Sequence, residues 1–370
     1  MFFIQNAVGQ KFGKEYMQTI NIIHLGLGNV GKEVVKQIAQ QEIFVRESFF
    51  TRINYVAIFV SKKEVVDFNG IPLSLLVNDK EIPWENSTNS DLALELINTV
   101  SSPFILLDTT ASDKTLPIVK RALQKGGYVV MSNKKPLTVL QKESDILDSL
   151  GKHRLFYETT VGAGLPIIHT LQTLRETGDE VLEIQGCLSG TLGYIFSELE
   201  KGKKFSMVVL DAKNQGFTEP DPRDDLSGLD VARKALILSR MLGKKMELSD
   251  IPLQDLYPQS MNKLSTEDFL NQIHTLDKQY QENVSKAKKE NKVLRFLARI
   301  TKQTSAVGLE TIDKESDIGN LQGPDNIVVI KTKRYQKNPL IIKGPGAGIE
   351  VTATGIFGNI IDIIKKEVHI

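Results

Sequence analysis

Between the apolar run Asn21-Ile22-Ile23-His24-Leu25 and a series with Val34, Val35 and Ile38 at helical spacing lies Gly26-Leu27-Gly28-Asn29-Val30-Gly31. A strand that passes through glycines straight into an amphipathic helix fits few architectures. Gly26 makes the tight turn, Gly28 lets the backbone approach a pyrophosphate, and Gly31 lets the helix pack close to the strand. The first amides of the helix, at Asn29 and Val30, then face an anion with a favourable dipole. A bare glycine turn can also occur without a ligand, so its context decides. Here it opens a series of βαβ units.

The strand Ile53–Val60, helix Asp91–Val100, strand Phe104–Leu107 and helix Thr115–Gln124 follow. Strand Tyr128–Met131, helix Val139–Leu150 and strand Leu155–Tyr157 complete the first half. This alternation predicts an α/β protein with a Rossmann-type, doubly wound parallel sheet over 20–157, preceded by an irregular arm over 1–19. The pattern then changes to an alternating strand, Glu180–Leu188, and helices at about 191–200, 206–215 and 225–242. A long polar helix near 264–290 and strands near 294–301, 326–333 and 339–343 come next. These predict a second, α+β domain over 158–343. The segment 344–370 begins with Gly344-Pro345-Gly346-Ala347-Gly348 and continues as an apolar helix over Thr352–Lys366.

A length of 370 residues favours two domains, and 41% apolar with 25% charged residues is a globular composition. Forty-six basic against 45 acidic residues leave a net charge of +1, which argues against a nucleic-acid partner. The single cysteine, Cys187, excludes an intrachain disulfide or a cysteine-rich zinc site, and in its apolar strand it reads as an inert small hydrophobe. The five histidines lack metal-ligand spacing, and His169 reads as a helix-surface residue. No apolar run is long enough for a membrane span or a signal peptide, so a cytoplasmic enzyme without a membrane partner is expected.

Where the second strand ends, an acidic residue would hold a ribose 2′-OH. The chain has Val60-Ser61-Lys62-Lys63 instead. A hydroxyl and two ammonium groups suit a 2′-phosphate, which favours NADP over NAD, although a solvated basic loop has the same composition. Between Glu219 and Asp225 lie four carboxylates and Arg223, stiffened by Pro220 and Pro222. Charge alone does not separate a solvated loop, or a capping role for Asp225, from a receptor for an ammonium group. The following helix is apolar nearly all round, leaving one polar stripe of Arg233 with Arg240 and another of Asp230 with Lys234. An exposed i,i+4 pair contributes only ~0.3–0.5 kcal/mol. A buried one costs several kcal/mol unless paired, which makes Asp230 and Lys234 catalytic candidates. Asn133-Lys134-Lys135-Pro136 follows a strand at its carboxyl end, where open parallel sheets bind ligands. Glu158 to Pro166 is a second glycine turn into a helix; periodicity leaves open an anion site, a cation site or a plain turn.

These motifs, with Leu188-Ser189-Gly190-Thr191-Leu192-Gly193, occur in an order that resembles homoserine dehydrogenase, in particular the dehydrogenase half of bifunctional aspartokinase–homoserine dehydrogenases. The similarity runs from about residue 20 to the end. It implies reversible NAD(P)-dependent reduction of L-aspartate 4-semialdehyde to L-homoserine, in threonine, methionine and isoleucine biosynthesis. By motif, Glu219 would bind the substrate ammonium, and Asp225, Gly190 and Thr191 would belong to the substrate site. Asp230 would orient the substrate, Lys234 would transfer the proton, and Lys134 would be the second active-site lysine. Thr109, Lys134, Gly346 and Gly348 would join the glycine turn, Ser61 and Lys62 around the cofactor. Glu158, with the carbonyls of Val161, Ala163 and Leu165, would match a site for a monovalent cation such as sodium. The resemblance also implies a homodimer formed through the second domain. With no kinase region before it and no ligand-sensing extension after it, the sequence leads us to expect weak or absent inhibition by threonine.

Hydride transfer is the cofactor's chemistry, so the protein must position the nicotinamide and manage one proton. A lysine, with a reference pKa near ~10.4, is protonated at neutral pH. A neighbouring Asp230 prepares Lys234 to act as the acid in the reductive direction. A non-catalytic NADP-binding regulator would need no such buried pair, and an oxidoreductase for another small amino-acid aldehyde is the alternative among enzymes. An acylating dehydrogenase would need a reactive cysteine, and Cys187 lacks the setting for one.

Overall fold

The computed structural model describes residues 17–78, 81–86 and 91–368. The expected arm over 1–19 falls almost wholly outside them. Twelve strands are described: β1 (Gln18–Leu25), β2 (Thr51–Phe59), β3 (Lys63–Val66), β4 (Glu85–Asn86), β5 (Phe104–Asp108), β6 (Tyr128–Met131), β7 (Leu155–Phe156), β8 (Val181–Cys187), β9 (Lys292–Thr301), β10 (Ser305–Asp313), β11 (Asp325–Thr332) and β12 (Leu340–Pro345). The first seven form one sheet in the order β4-β3-β2-β1-β5-β6-β7. Its body, β2-β1-β5-β6-β7, is parallel, while β3 and β4 are antiparallel additions at one edge. β5 and β6 are buried along their whole length, as strands covered on both faces must be. The chain order reverses at the β1/β5 junction, the switch point where open α/β sheets bind ligands.

The other five strands form an antiparallel sheet in the order β10-β9-β8-β11-β12. One face carries Ile184, Phe296, Ile300, Val328 and Ile330 into a core shared with the helices Gly190–Glu200, Phe205–Asn214 and Leu229–Met241. Helix Ile349–Glu367 then leaves this half: Ala353, Ile356, Ile360, Ile363 and Ile364 enter the core of the parallel sheet beside Val34 and Ile38. The C-terminal segment therefore ties Gly346 and Gly348 to the glycine-turn half.

Two expected helices are interrupted. The run over 225–242 divides into Arg223–Leu226 and Leu229–Met241, because Gly228 takes φ 68°. A Cβ there would lie 2.5 Å from the Phe296 ring. The run over 264–290 divides into Thr266–Gln272 and Asp277–Lys289 around a tight turn, where the Asp277 carboxylate accepts from Ser206 N and Oγ, both at 2.8 Å. The sequence pattern also leaves out β10, an edge strand paired with β9 and bridged on its other side at Val307 by Leu253.

Candidate active site

The glycine turn is built as its spacing requires. Gly26 has φ 89°, and its amide donates to Phe59 O at 2.8 Å, which brings the exposed β2–β3 turn with Ser61 and Lys62 alongside. A Cβ on Gly31 would lie 2.4 Å from Gly26 O, so helix and strand approach as closely as only glycine allows. A Cβ on Gly28 would meet nothing within 4 Å; it would project into open space. Gly28 begins the helix Asn29–Gln40, whose first turn carries no acidic residue and no side-chain cap. Its amides remain available to an anion. Thr109 follows β5 and hydrogen-bonds the Gly26 carbonyl through Oγ1, and His24 Nε2 lies 2.9 Å from the same hydroxyl. Burial lowers the pKa of His24 from 6.5 to about 3, so the ring that backs the turn is neutral.

The two lysines meet across the halves of the molecule. Lys134, in the turn after β6, reaches Asp230 Oδ1 at 3.3 Å. Lys234 reaches Asp230 Oδ2 at 2.8 Å and donates to Leu188 O at 2.6 Å. Lys234 is 8% exposed, whereas the Asp230 side chain keeps 48% of its exposure. The pair is thus not uniformly buried, as the helix pattern had suggested. Loss of hydration works against the Asp230 carboxylate, but Lys234 and Lys134 outweigh it and hold its pKa well below the usual range. Asp230 also sits in the first turn of its helix, where the dipole favours an anion. Burial pushes the Lys134 pKa down, Asp230 pushes it up, and Lys234 pushes it down again, leaving it below its ordinary value.

The acidic loop turns much of its charge inward. Asp221 pairs with Arg223 at 2.6 Å, which holds the Asp221 carboxyl near a pKa of about 2. Arg223 also donates to Leu264 O at 2.8 Å. Asp225 accepts from Glu219 N and Thr191 Oγ1 at 2.8 and 2.9 Å, and burial raises its pKa. Asp225 and Thr191 therefore fix the backbone that presents the exposed Glu219. Gly190 begins the helix that carries Thr191, and a Cβ there would lie 2.9 Å from Pro324 O.

Glu158 is 7% exposed, and its carboxylate accepts from Ile168 N and His169 N at 2.7 and 2.8 Å. Gly346 packs on Asn326, where a Cβ would lie 1.8 Å from the amide carbon. Burial pushes the Cys187 thiol up to about 12, as suits an inert core group. The sequence reading missed His24, Asp108 and the Leu188 carbonyl; a polar residue inside or ending an apolar strand was the available signal for the first two. A cavity of about 730 Å³ lined by Tyr157, Glu158, His169 and Arg240 lies beside the second glycine turn, and none of Lys134, Lys234 and Asp230 lines it. Chemistry, not size, locates the site.

A glycine cradle at a sheet switch point, together with a carboxylate clasped by lysines from the parallel-sheet half and the antiparallel-sheet half, suits a dinucleotide-dependent oxidoreductase. The profile of the homoserine dehydrogenase family matches residues 166–361. The chain is 36% identical to homoserine dehydrogenase of Schizosaccharomyces pombe, over 94% of its own length and 96% of the relative's. It is 35% identical to that of Saccharomyces cerevisiae, over 94% and 99%. The chain belongs to the homoserine dehydrogenase family. It is also 37% identical to the bifunctional aspartokinase/homoserine dehydrogenase of Haemophilus influenzae, of which it spans 43%. Among solved structures, a Candida auris protein of unknown function superposes with TM-score 0.87 at 32% identity, over 95% of this chain and 99% of that one. A hyperthermophilic archaeal homoserine dehydrogenase in complex with NADPH gives TM-score 0.73 at 26% identity, over 94% and 98%.

Proposed function

We propose that this protein catalyses the reversible NAD(P)-dependent reduction of L-aspartate 4-semialdehyde to L-homoserine. The observation that carries this reading is the Asp230 carboxylate held between Lys134 and Lys234. A nicotinamide, when bound, would supply hydride to the aldehyde carbon in reduction and accept it from the carbinol carbon in oxidation. Lys234 gives the carbonyl oxygen its proton in reduction and takes it back in oxidation, and Asp230 keeps the ammonium aimed. Glu219 binds the substrate ammonium, on a loop that Asp225 and Thr191 hold in place. The amides after Gly28 receive the pyrophosphate. Ser61 and Lys62 receive a 2′-phosphate, which favours NADP, and the NADPH of the archaeal relative supports that choice. Lys234→Ala should lower turnover about 10²–10⁴-fold with cofactor affinity nearly unchanged. Nicotinamide absorbance with L-homoserine and each cofactor measures both; undiminished turnover removes Lys234 from the mechanism.

A monovalent cation is assigned to the second glycine turn, with Glu158 and the carbonyls of Val161, Ala163 and Leu165 as its donors; Glu158 already accepts from two amides and Leu165 O from Ile167 N at 2.8 Å, which leaves the other carbonyls the freer ligands. Gly162 and Ala163 have φ 80° and 53°, and among the described residues no backbone amide is bonded to the carbonyls of Val161 or Ala163. Carbonyl oxygens are the donors a hard cation prefers. Exchange of sodium for a bulky organic cation should lower activity if the site is used. The face of the antiparallel sheet bearing Glu183, Arg299 and Glu310 is the surface we assign to a cytoplasmic homodimer; light scattering gives the mass that tests it.

A further inference from the structure

We propose that Asp108 and Asn133 are positioning residues that set Lys134 against Asp230, and that with Thr109 they hold the lysine in register with the cofactor turn. This inference rests on the role given to Lys134 above. Asp108 ends β5 with no exposure, and Asn133 is 3% exposed. The Asn133 amide nitrogen donates to Asp108 Oδ2 at 3.0 Å and to Ser112 O at 2.7 Å, with the hydroxyls of Thr110 and Thr115 each at 3.2 Å. Its carbonyl oxygen accepts from Lys135 N at 3.2 Å, fixing the turn that carries Lys134. The other Asp108 oxygen accepts from Thr110 N and Oγ1 at 2.9 and 2.7 Å. Asp108 is thus a buried carboxylate satisfied by neutral donors. That is a costly way to gain stability and an effective way to fix geometry. The next residue, Thr109, bonds the Gly26 carbonyl, so one strand end locks the cofactor turn on one side and the lysine turn on the other. Among the described residues the Lys134 ammonium pairs with Asp230 alone, so the direction of its side chain depends on this backbone.

A double-mutant cycle tests the inference. Asn133→Ala should lower turnover roughly tenfold to a hundredfold, the cost of a small misplacement, while cofactor KM stays within about twofold. In a Lys134→Ala background the same change should alter turnover by no more than about twofold, because the group it acts through is gone. Losses that multiply in the double variant, or an Asn133→Ala enzyme with undiminished turnover, overturn the inference. If Asn133→Ala fails to fold, Asn133→Ser is read in the same cycle with its thermal midpoint recorded. Intact turnover in Lys134→Ala alone would instead overturn the reading of that lysine, and the positioning role with it.

Discussion

Two glycine turns in this molecule lead into helices, and they have opposite electrostatics. At Gly26–Gly31 the helix start carries no acidic residue, and the missing Cβ of Gly28 faces open space. At Gly162–Gly164 the chain fills the next helix start with its own anion, the Glu158 carboxylate on Ile168 N and His169 N. A helix N-terminus attracts a foreign anion only when no internal one satisfies its amides. The first turn therefore keeps its helix amides free for an anion, whereas the second has its helix start already filled by Glu158. Local sequence grammar is the same in both.

Substitutions can break or sharpen this contrast. Glu158→Ala leaves one buried and one half-buried amide unpaired and should cost roughly 2–4 kcal/mol of stability, read as a denaturant midpoint, with cofactor affinity unchanged. A drop in cofactor affinity at constant stability would mean that the second turn also serves the phosphates. Gly28→Val should fold normally, since its side chain enters open space, yet weaken the cofactor by about 2–3 kcal/mol through overpacking. Titration of nicotinamide fluorescence reads this, and native affinity would place the pyrophosphate elsewhere.

Acid should loosen the first turn selectively. The folded pKa of His24 lies near about 3 against an ordinary 6.5, so its contribution is complete above 6.5 and is lost as pH falls toward 3. Between about pH 8 and pH 5 this amounts to roughly 2 kcal/mol, visible as a falling denaturation midpoint that His24→Phe flattens. The smallest effect is expected at the rim. Lys62→Ala should weaken NADP by about 1 kcal/mol or less and leave NAD alone, because an exposed ammonium is well screened. Equal losses for both cofactors in steady-state assays would take the 2′-phosphate away from Lys62.

The parts legible in the sequence were those set by local geometry. Gly26 and Gly31 each meet a backbone constraint that spacing encodes, and Asp230 with Lys234 share one helix face at four residues' separation. The interruption at Gly228 had one local signal, the glycine itself, while the Phe296 ring that leaves no room for a Cβ there lies far along the chain. The acidic loop was ambiguous for the same reason: whether Asp221 faces a ligand or Arg223 depends on which carbonyls the folded chain places around the guanidinium.

By itself the sequence determined the strand–turn–helix cradle, the alternation that makes a parallel sheet, and the four-residue spacing of Asp230 and Lys234. Those follow from torsion angles and periodicity, which act over a few residues. Only the tertiary structure decided that Lys134 joins that pair, that Glu158 faces inward, and that the last helix returns to the first sheet. Each depends on burial and charge compensation between segments far apart in the chain, and such energies exist only once the segments are packed.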